Sequence, residues 1–179
     1  MFDQVTDELY SRARDQAQWG ALWSTLNGRS RRLLALGEVH AACTVHAQRD
    51  AGIHSVPIGQ IRGSKDRYAD FDCDFNPLRE HSRARWLHIA HARKLGKALP
   101  PVELVQIGEI YFVWDGHHRI SVARALGQRT IEAQVVVWQV SGPLAWEVDR
   151  RVTAQSLTGR LTLRNLWMAV RMRLGASLQ

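Results

Sequence analysis

One stretch constrains this chain more than any other: Tyr111-Phe112-Val113-Trp114-Asp115-Gly116-His117-His118-Arg119-Ile120-Ser121-Val122-Ala123-Arg124-Ala125-Leu126-Gly127. A run of strand-forming apolar residues ends in an Asp-Gly turn, and a short helix follows that Gly127 stops as its C-cap. Two imidazoles and a guanidinium fall in the first turn of that helix. Unpaired backbone N–H groups and the positive end of the helix dipole meet there, so the turn attracts anions, phosphate above all. Arg119 adds a fork of donors suited to phosphate oxygens.

Other elements flank this unit. Val56 to Ile61 reads as a strand, followed by a polar loop Arg62-Gly63-Ser64-Lys65-Asp66-Arg67. Asn76-Pro77 reads as a helix start, Asn as cap and Pro at the first helical position, with a helix over 78–95 that Gly96 ends. Its expected packing face is Leu78, Ser82, Arg85/Trp86, Ile89, Ala92 and Leu95. Val102 to Ile107 and Ile110 to Trp114 are joined by Gly108-Glu109, a two-residue hairpin connection, and Ile131 to Val140 is a β-branched strand. Strands alternating with helices imply an α/β or α+β fold with a small mixed sheet.

This domain, residues 55–140, carries an extension on either side. In residues 1–54, Phe2, Val5, Leu9 and Ala13 recur at helical spacing, as do Trp19, Trp23 and Leu26, so 3–26 reads as one long or two short amphipathic helices with core or docking tryptophans. Residues 31–48 read as helical again. In residues 141–179, Leu163, Leu166, Trp167, Val170 and Leu174 form an apolar stripe on an expected helix over 163–174. Residues 150–179 hold six of the 24 Lys and Arg and none of the 17 Asp and Glu, so nearly all of the formal net charge of +7 lies there. The rest of the chain is close to neutral. The high basicity therefore does not describe a nucleic-acid surface spread over the fold, and any nucleic-acid contact is expected to be weak and to run through the basic end. That stripe could instead pack on its own domain or mediate a homodimer.

Length and composition bound the rest. With 179 residues and 45% apolar content, the chain can bury one core and an appendage. There is no charged-then-apolar leader and no apolar run of the roughly 18 residues a membrane span needs, so the expected location is the cytoplasm. Cys43 and Cys73 are too few for a disulfide framework and read as reduced thiols.

Beyond the loop, Asp70, Asp72 and Asp74 alternate with Phe71, Cys73 and Phe75, which would place three carboxylates on one side of an extended segment. They could hold Mg²⁺ or form a solvated acidic face opposite two buried aromatics. The spacing is not an EF-hand, because its sixth and twelfth positions are Phe75 and His81. His88 and His91 lie three apart without a His-Glu-x-x-His pattern, and no zinc is assigned.

The loop Asp115-Gly116-His117-His118-Arg119, with Ala125-Leu126-Gly127 closing its helix, resembles the signature of the ParB/sulfiredoxin superfamily. Val56-Pro57-Ile58-Gly59-Gln60-Ile61 resembles the opening strand of that family, and Leu99-Pro100-Pro101-Val102-Glu103-Leu104 its entry into the second strand. The resemblance covers roughly residues 55–140. It implies a ParB/sulfiredoxin-like fold and a nucleotide (ATP, ADP or CTP) as ligand, with Mg²⁺ as a companion and the remaining metal set unknown. Ser64, Arg67, Gly116, His117, His118 and Arg119 would line the nucleotide, and Asp115, His117 and His118 would be catalytic.

Departures from the pattern narrow the function. Sulfiredoxins need a nucleophilic Cys where this chain has His117, so peroxiredoxin repair by that route is chemically closed. A partition ParB carries a helix-turn-helix domain of about 100 residues after the signature domain, and about 40 follow here. The Asp-Gly-His pattern with its terminal Arg is closest to the free serine kinase branch. The resulting expectation is a nucleotide phosphohydrolase or phosphotransferase. The alternatives are a non-catalytic, nucleotide-switched DNA-associated or dimerisation module, and a metal-dependent nuclease using Asp70, Asp72, Asp74 and Asp115.

Overall fold

The computed structural model describes residues 4–28, 30–144 and 146. Met1–Ser141 form one unit and Gly142–Gln179 a second. The helix expected over 163–174 lies outside the described residues.

Four α-helices and six strands build the first unit: α1 (Gln4–Asn27), β1 (Leu34–Ala35), α2 (Leu36–Ala42), β2 (Thr44–Pro57), β3 (Ile61–Ser64), α3 (Arg83–Lys94), β4 (Val102–Ile107), β5 (Ile110–Asp115), α4 (His117–Ala125) and β6 (Thr130–Ser141). The strands form one mixed sheet in the order β1-β3-β5-β4-β6-β2. The fold is mixed α/β. Strand β5 sits inside the sheet, parallel to β3 and antiparallel to β4, whose Ile107 pairs with Ile110 across the expected Gly108-Glu109 turn. Strands β4 and β6 run parallel, and β2 closes that edge antiparallel to β6.

The main core lies where α4 packs on the sheet. Ile120 and Ala123 meet Val56, Ile61, Val102, Leu104, Val113 and Val135, with Phe71 and Phe75 closing the layer. A second cluster joins the helices, with Tyr10 of α1 edge-on to Trp86 of α3 at 5.4 Å and Val122 of α4 beside them. Trp86 also donates its indole N–H to Ser121 Oγ at 2.8 Å, which ties α3 to α4. Close packing demands a glycine at position 63, where a Cβ would overlap the Phe112 ring.

Several expectations of local structure are corrected. The helix expected from Asn76-Pro77 starts at Arg83, preceded by a 3₁₀ turn at Glu80–Ser82. The reason is Asp72, which accepts the N–H groups of Asp74 and Asn76 at 2.9 and 2.8 Å and the Asn76 side-chain amide at 3.1 Å, so Asn76 serves a turn instead of capping a helix. The buried face of α3 is accordingly Trp86, Leu87 and Ala90, while Leu78 and Leu95 are exposed.

Within residues 31–48 the only helix is the short α2, because from Thr44 the chain is committed to pairing with β6. Val56 to Ile61 is the end of β2, a 3₁₀ turn and the first residue of β3, not one strand. The expected division at 54/55 falls inside β2. Helix α1 does run unbroken over the expected stretch, but it buries Thr6, Tyr10, Ala13 and Ala17, while Trp19 and Trp23 face solvent.

Candidate functional site

Asp115 ends β5 and α4 begins at His117, so a single residue turns the chain from strand to helix. Gly116 has φ +102°, in the region that favours glycine, and a Cβ there would stand 2.5 Å from Val102 Cγ1. No larger residue fits. Asp115 does not cap the helix; its carboxylate reaches one turn down to the Arg119 guanidinium. The first intrahelical bond runs from Ile120 N–H to Gly116 O, so the N–H groups of His117, His118 and Arg119 all precede it and point out of the helix start.

A small cavity of about 40 Å³ opens over this turn, lined by Arg67, Arg85, Ile89, Asp115, Gly116, His117, His118 and Arg119. Of the residues expected from sequence, it gathers all but Ser64. That serine is fully buried one layer behind, its hydroxyl 2.7 Å from His117 Nε2. The same oxygen accepts the N–H of Arg67 at 3.0 Å, so Ser64 holds both the ring and the loop that carries Arg67. It supports the cavity without lining it.

Both imidazoles are buried, His117 4% exposed and His118 7%. Phe71 lies under them, stacked on His117 at 6.0 Å and edge-on to His118 at 5.2 Å. Burial pushes each ring down from the ordinary 6.5 to about 4, the nearby Arg67 acting in the same direction. At neutral pH the pair is uncharged. A neutral imidazole with one nitrogen taken by Ser64 still presents an N–H donor from the other. His118 Nδ1 is buried with no hydrogen-bond partner in the protein, a polar atom that a ligand could satisfy.

The arginines differ in how far they are committed. Arg119 donates through Nη1 to the Pro100 and Pro101 carbonyls at 2.6 and 2.8 Å and through Nη2 to Asp115. It is a clamp between the segment entering β4 and the loop, besides being a wall of the cavity. Arg67 makes one long bond, 3.3 Å, to Asp70, and Arg85, which sequence reasoning passed over as a helix-face residue, is exposed at the cavity rim. Only the fold brings Arg85 to the loop.

Arg119 also borders a second cavity of about 410 Å³, lined among others by Arg93, Pro101, Val102, Gln128, Arg129 and Glu132. That volume is in the range that holds a small organic ligand. Arg119 is the one residue that lines both cavities.

The expected acidic face dissolves into ion pairs. Asp72 is buried and bonded to Arg31 at 3.0 Å, Asp74 is paired with Arg31 and Arg124, and Asp70 with Arg67. Among the described residues no group of three or more His, Cys, Asp or Glu could hold a metal ion. Asp115 is likewise paired, with Arg119, so all four of the aspartates expected as metal ligands serve an arginine.

No family model matches the sequence, and no curated protein matches it. A crystal structure of sulfiredoxin from Arabidopsis thaliana is similar at 17% identity, over 46% of this chain and 82% of that one, with a TM-score of 0.36. Among the described residues, no helix is long and apolar enough to cross a membrane.

Proposed function

We propose that the chain is a ParB-like nucleotide-binding protein that hydrolyses or transfers the terminal phosphoryl group. The observation that carries this reading is the convergence on one 40 Å³ cavity of a helix start, two neutral imidazoles and Arg67, Arg85 and Arg119. The terminal phosphoryl group would sit in this cavity, and the 410 Å³ cavity that Arg119 also lines has room for a nucleoside. The backbone N–H groups of His117, His118 and Arg119 would bind the terminal phosphate oxygens, with Arg67 and Arg85 neutralising charge from the rim. Uncharged histidines are suited to this. They donate hydrogen bonds without the repulsion that two imidazolium ions would bring beside three guanidinium groups.

Phosphoryl transfer depends on positioning and charge stabilisation more than on covalent chemistry, and the site offers both. Asp115, more than half exposed at the cavity mouth, would orient an attacking hydroxyl or water and take its proton. The new bond forms to the terminal phosphorus, the bond to the bridging oxygen breaks, and the leaving phosphate departs with that electron pair. No step is assigned to a metal.

The test is a thermal-shift and turnover screen with ATP, ADP and CTP, with and without Mg²⁺. A nucleotide at 100 times its dissociation constant stabilises the fold by about 2.7 kcal/mol. Stabilisation with release of phosphate, or its transfer to a hydroxyl acceptor, supports the proposal. Stabilisation without turnover makes the chain a nucleotide-switched module, and no stabilisation by any nucleotide removes nucleotide binding altogether.

A further inference from the structure

Helix α1 is apolar on two sides. One side, Thr6, Tyr10, Ala13 and Ala17, is buried against the rest of the fold. Trp19, Leu22, Trp23 and Leu26 lie about 150° around the helix from it, at 100° per residue, and they are between 54% and 71% exposed. In the first half of α1 the same outward line carries Glu8, Arg12 and Asp15, and Glu8 and Arg12 pair with each other at 3.6 Å. From Gln16 to Gly28 there is no charged residue at all. The outward surface therefore changes from charged to wholly uncharged within one helix. A solvated helix face keeps its charges, and a helix apolar on opposite sides is covered on both.

We propose that Trp19, Leu22, Trp23 and Leu26 form the interface of a homodimer, in which α1 packs antiparallel on α1 of a second copy. A two-fold contact sets a patch against itself, so any charge it holds meets a like charge. This patch holds none. With the axis passing near Leu22 and Trp23, Trp19 faces the partner's Leu26, and the charged line from Glu8 to Asp15 falls outside the contact. The area is sufficient. Four large side chains exposed to this degree present on the order of 500 Å² per chain, or about 1,000 Å² across the pair, which reaches the lower bound for a specific interface. Tryptophan is also the side chain most enriched among residues that carry binding energy.

Sedimentation of the full chain over the micromolar range tests this directly. The expected result is a mass that doubles with concentration, while the Trp19→Glu/Trp23→Glu protein stays at half that mass throughout and keeps the circular dichroism of the folded chain, since both side chains are mostly exposed on their own fold. Trp23→Phe keeps the dimer. Should the double variant fold poorly, Leu26→Lys at the exposed end of the stripe gives the same reading with a smaller change. A wild-type chain monomeric at every concentration overturns the proposal and means that the stripe is covered within the chain or awaits another partner. A dimer that survives the double variant puts the interface elsewhere. A monomer that sediments with anionic vesicles through Trp19 and Trp23 shows a membrane-surface helix instead.

Discussion

Acidification should destabilise this fold through two residues. His117 and His118 are neutral when folded, with values near 4 against an ordinary 6.5 once the chain unfolds. Between those limits the unfolded chain binds more protons, so stability is complete above about pH 6.5 and falls as the pH drops toward 4. At pH 5 an unfolded imidazole is almost fully charged and a folded one still neutral, a difference of about 2 kcal/mol for one fully shifted ring. His118, the more exposed of the two, counts for less, so the pair together should lose about 3 kcal/mol between pH 7 and pH 5. Against a typical total of roughly 5–15 kcal/mol that is a large fraction. Urea unfolding at the two pH values measures it as a shift in midpoint at constant slope. Carboxylates contribute to acid unfolding with the same sign, so the decisive comparison is the His117→Gln/His118→Gln protein, in which the amide introduced at position 117 can still accept from Ser64. Its loss between pH 7 and pH 5 should be smaller by about the same 3 kcal/mol. Equal losses in the two proteins would refute the claim that these rings are held neutral.

Three further outcomes are expected. Arg119→Ala should weaken nucleotide affinity and also lower stability by about 1.5–3 kcal/mol, because its guanidinium holds the Pro100 and Pro101 carbonyls as well as Asp115; unchanged calorimetric affinity and unchanged melting would show that it does neither. Asp115→Asn should bind nucleotide as before and lose turnover, since an amide keeps the shape and takes no proton; full activity would reduce Asp115 to the partner of Arg119. Gly63→Ala forces a methyl group against the Phe112 ring and the Leu34 carbonyl and should cost about 1–3 kcal/mol or prevent folding, whereas an unaltered urea midpoint would mean that the sheet yields there easily.

What the sequence made legible was local. Gly108, Gly116 and Gly127 all take positive φ, at 59°, 102° and 74°, and each marks the end of an element that the neighbouring residues already favour, so the hairpin, the loop and α4 were readable without any tertiary information. The misreadings occurred where a distant partner outweighed a local preference. Asn76-Pro77 has the form of a helix start, yet a buried Asp72 four residues earlier, held in turn by Arg31, draws that backbone into its own turn. Residues 44–57 alternate too weakly to announce a strand, and become one because β6, more than seventy residues away, offers a full ladder. The candidate site divides in the same way. Its loop could be named from the sequence, but Ser64 behind His117, Phe71 beneath both rings and Arg85 on the rim belong to other elements and converge only in the folded chain.

That division bears on the chemistry. A loop of Asp, two His and Arg in water would be a mixture of charges changing near neutral pH, with the histidines half protonated close to 6.5. Phe71 and the burial that accompanies it remove that ambiguity, so the imidazoles become fixed, uncharged donors over most of the physiological range. Positive charge is then left to the guanidinium groups of Arg67, Arg85 and Arg119. Anion binding at such a site should therefore be nearly independent of pH from 6 to 8 on the protein's side, varying only with the protonation of the phosphate itself. A site relying on imidazolium would weaken steeply over the same interval. Affinity measured with a non-titrating anion such as sulfate separates the two: a flat profile follows from rings held neutral, and a fall of about tenfold per pH unit would mean that the histidines, not the arginines, carry the charge.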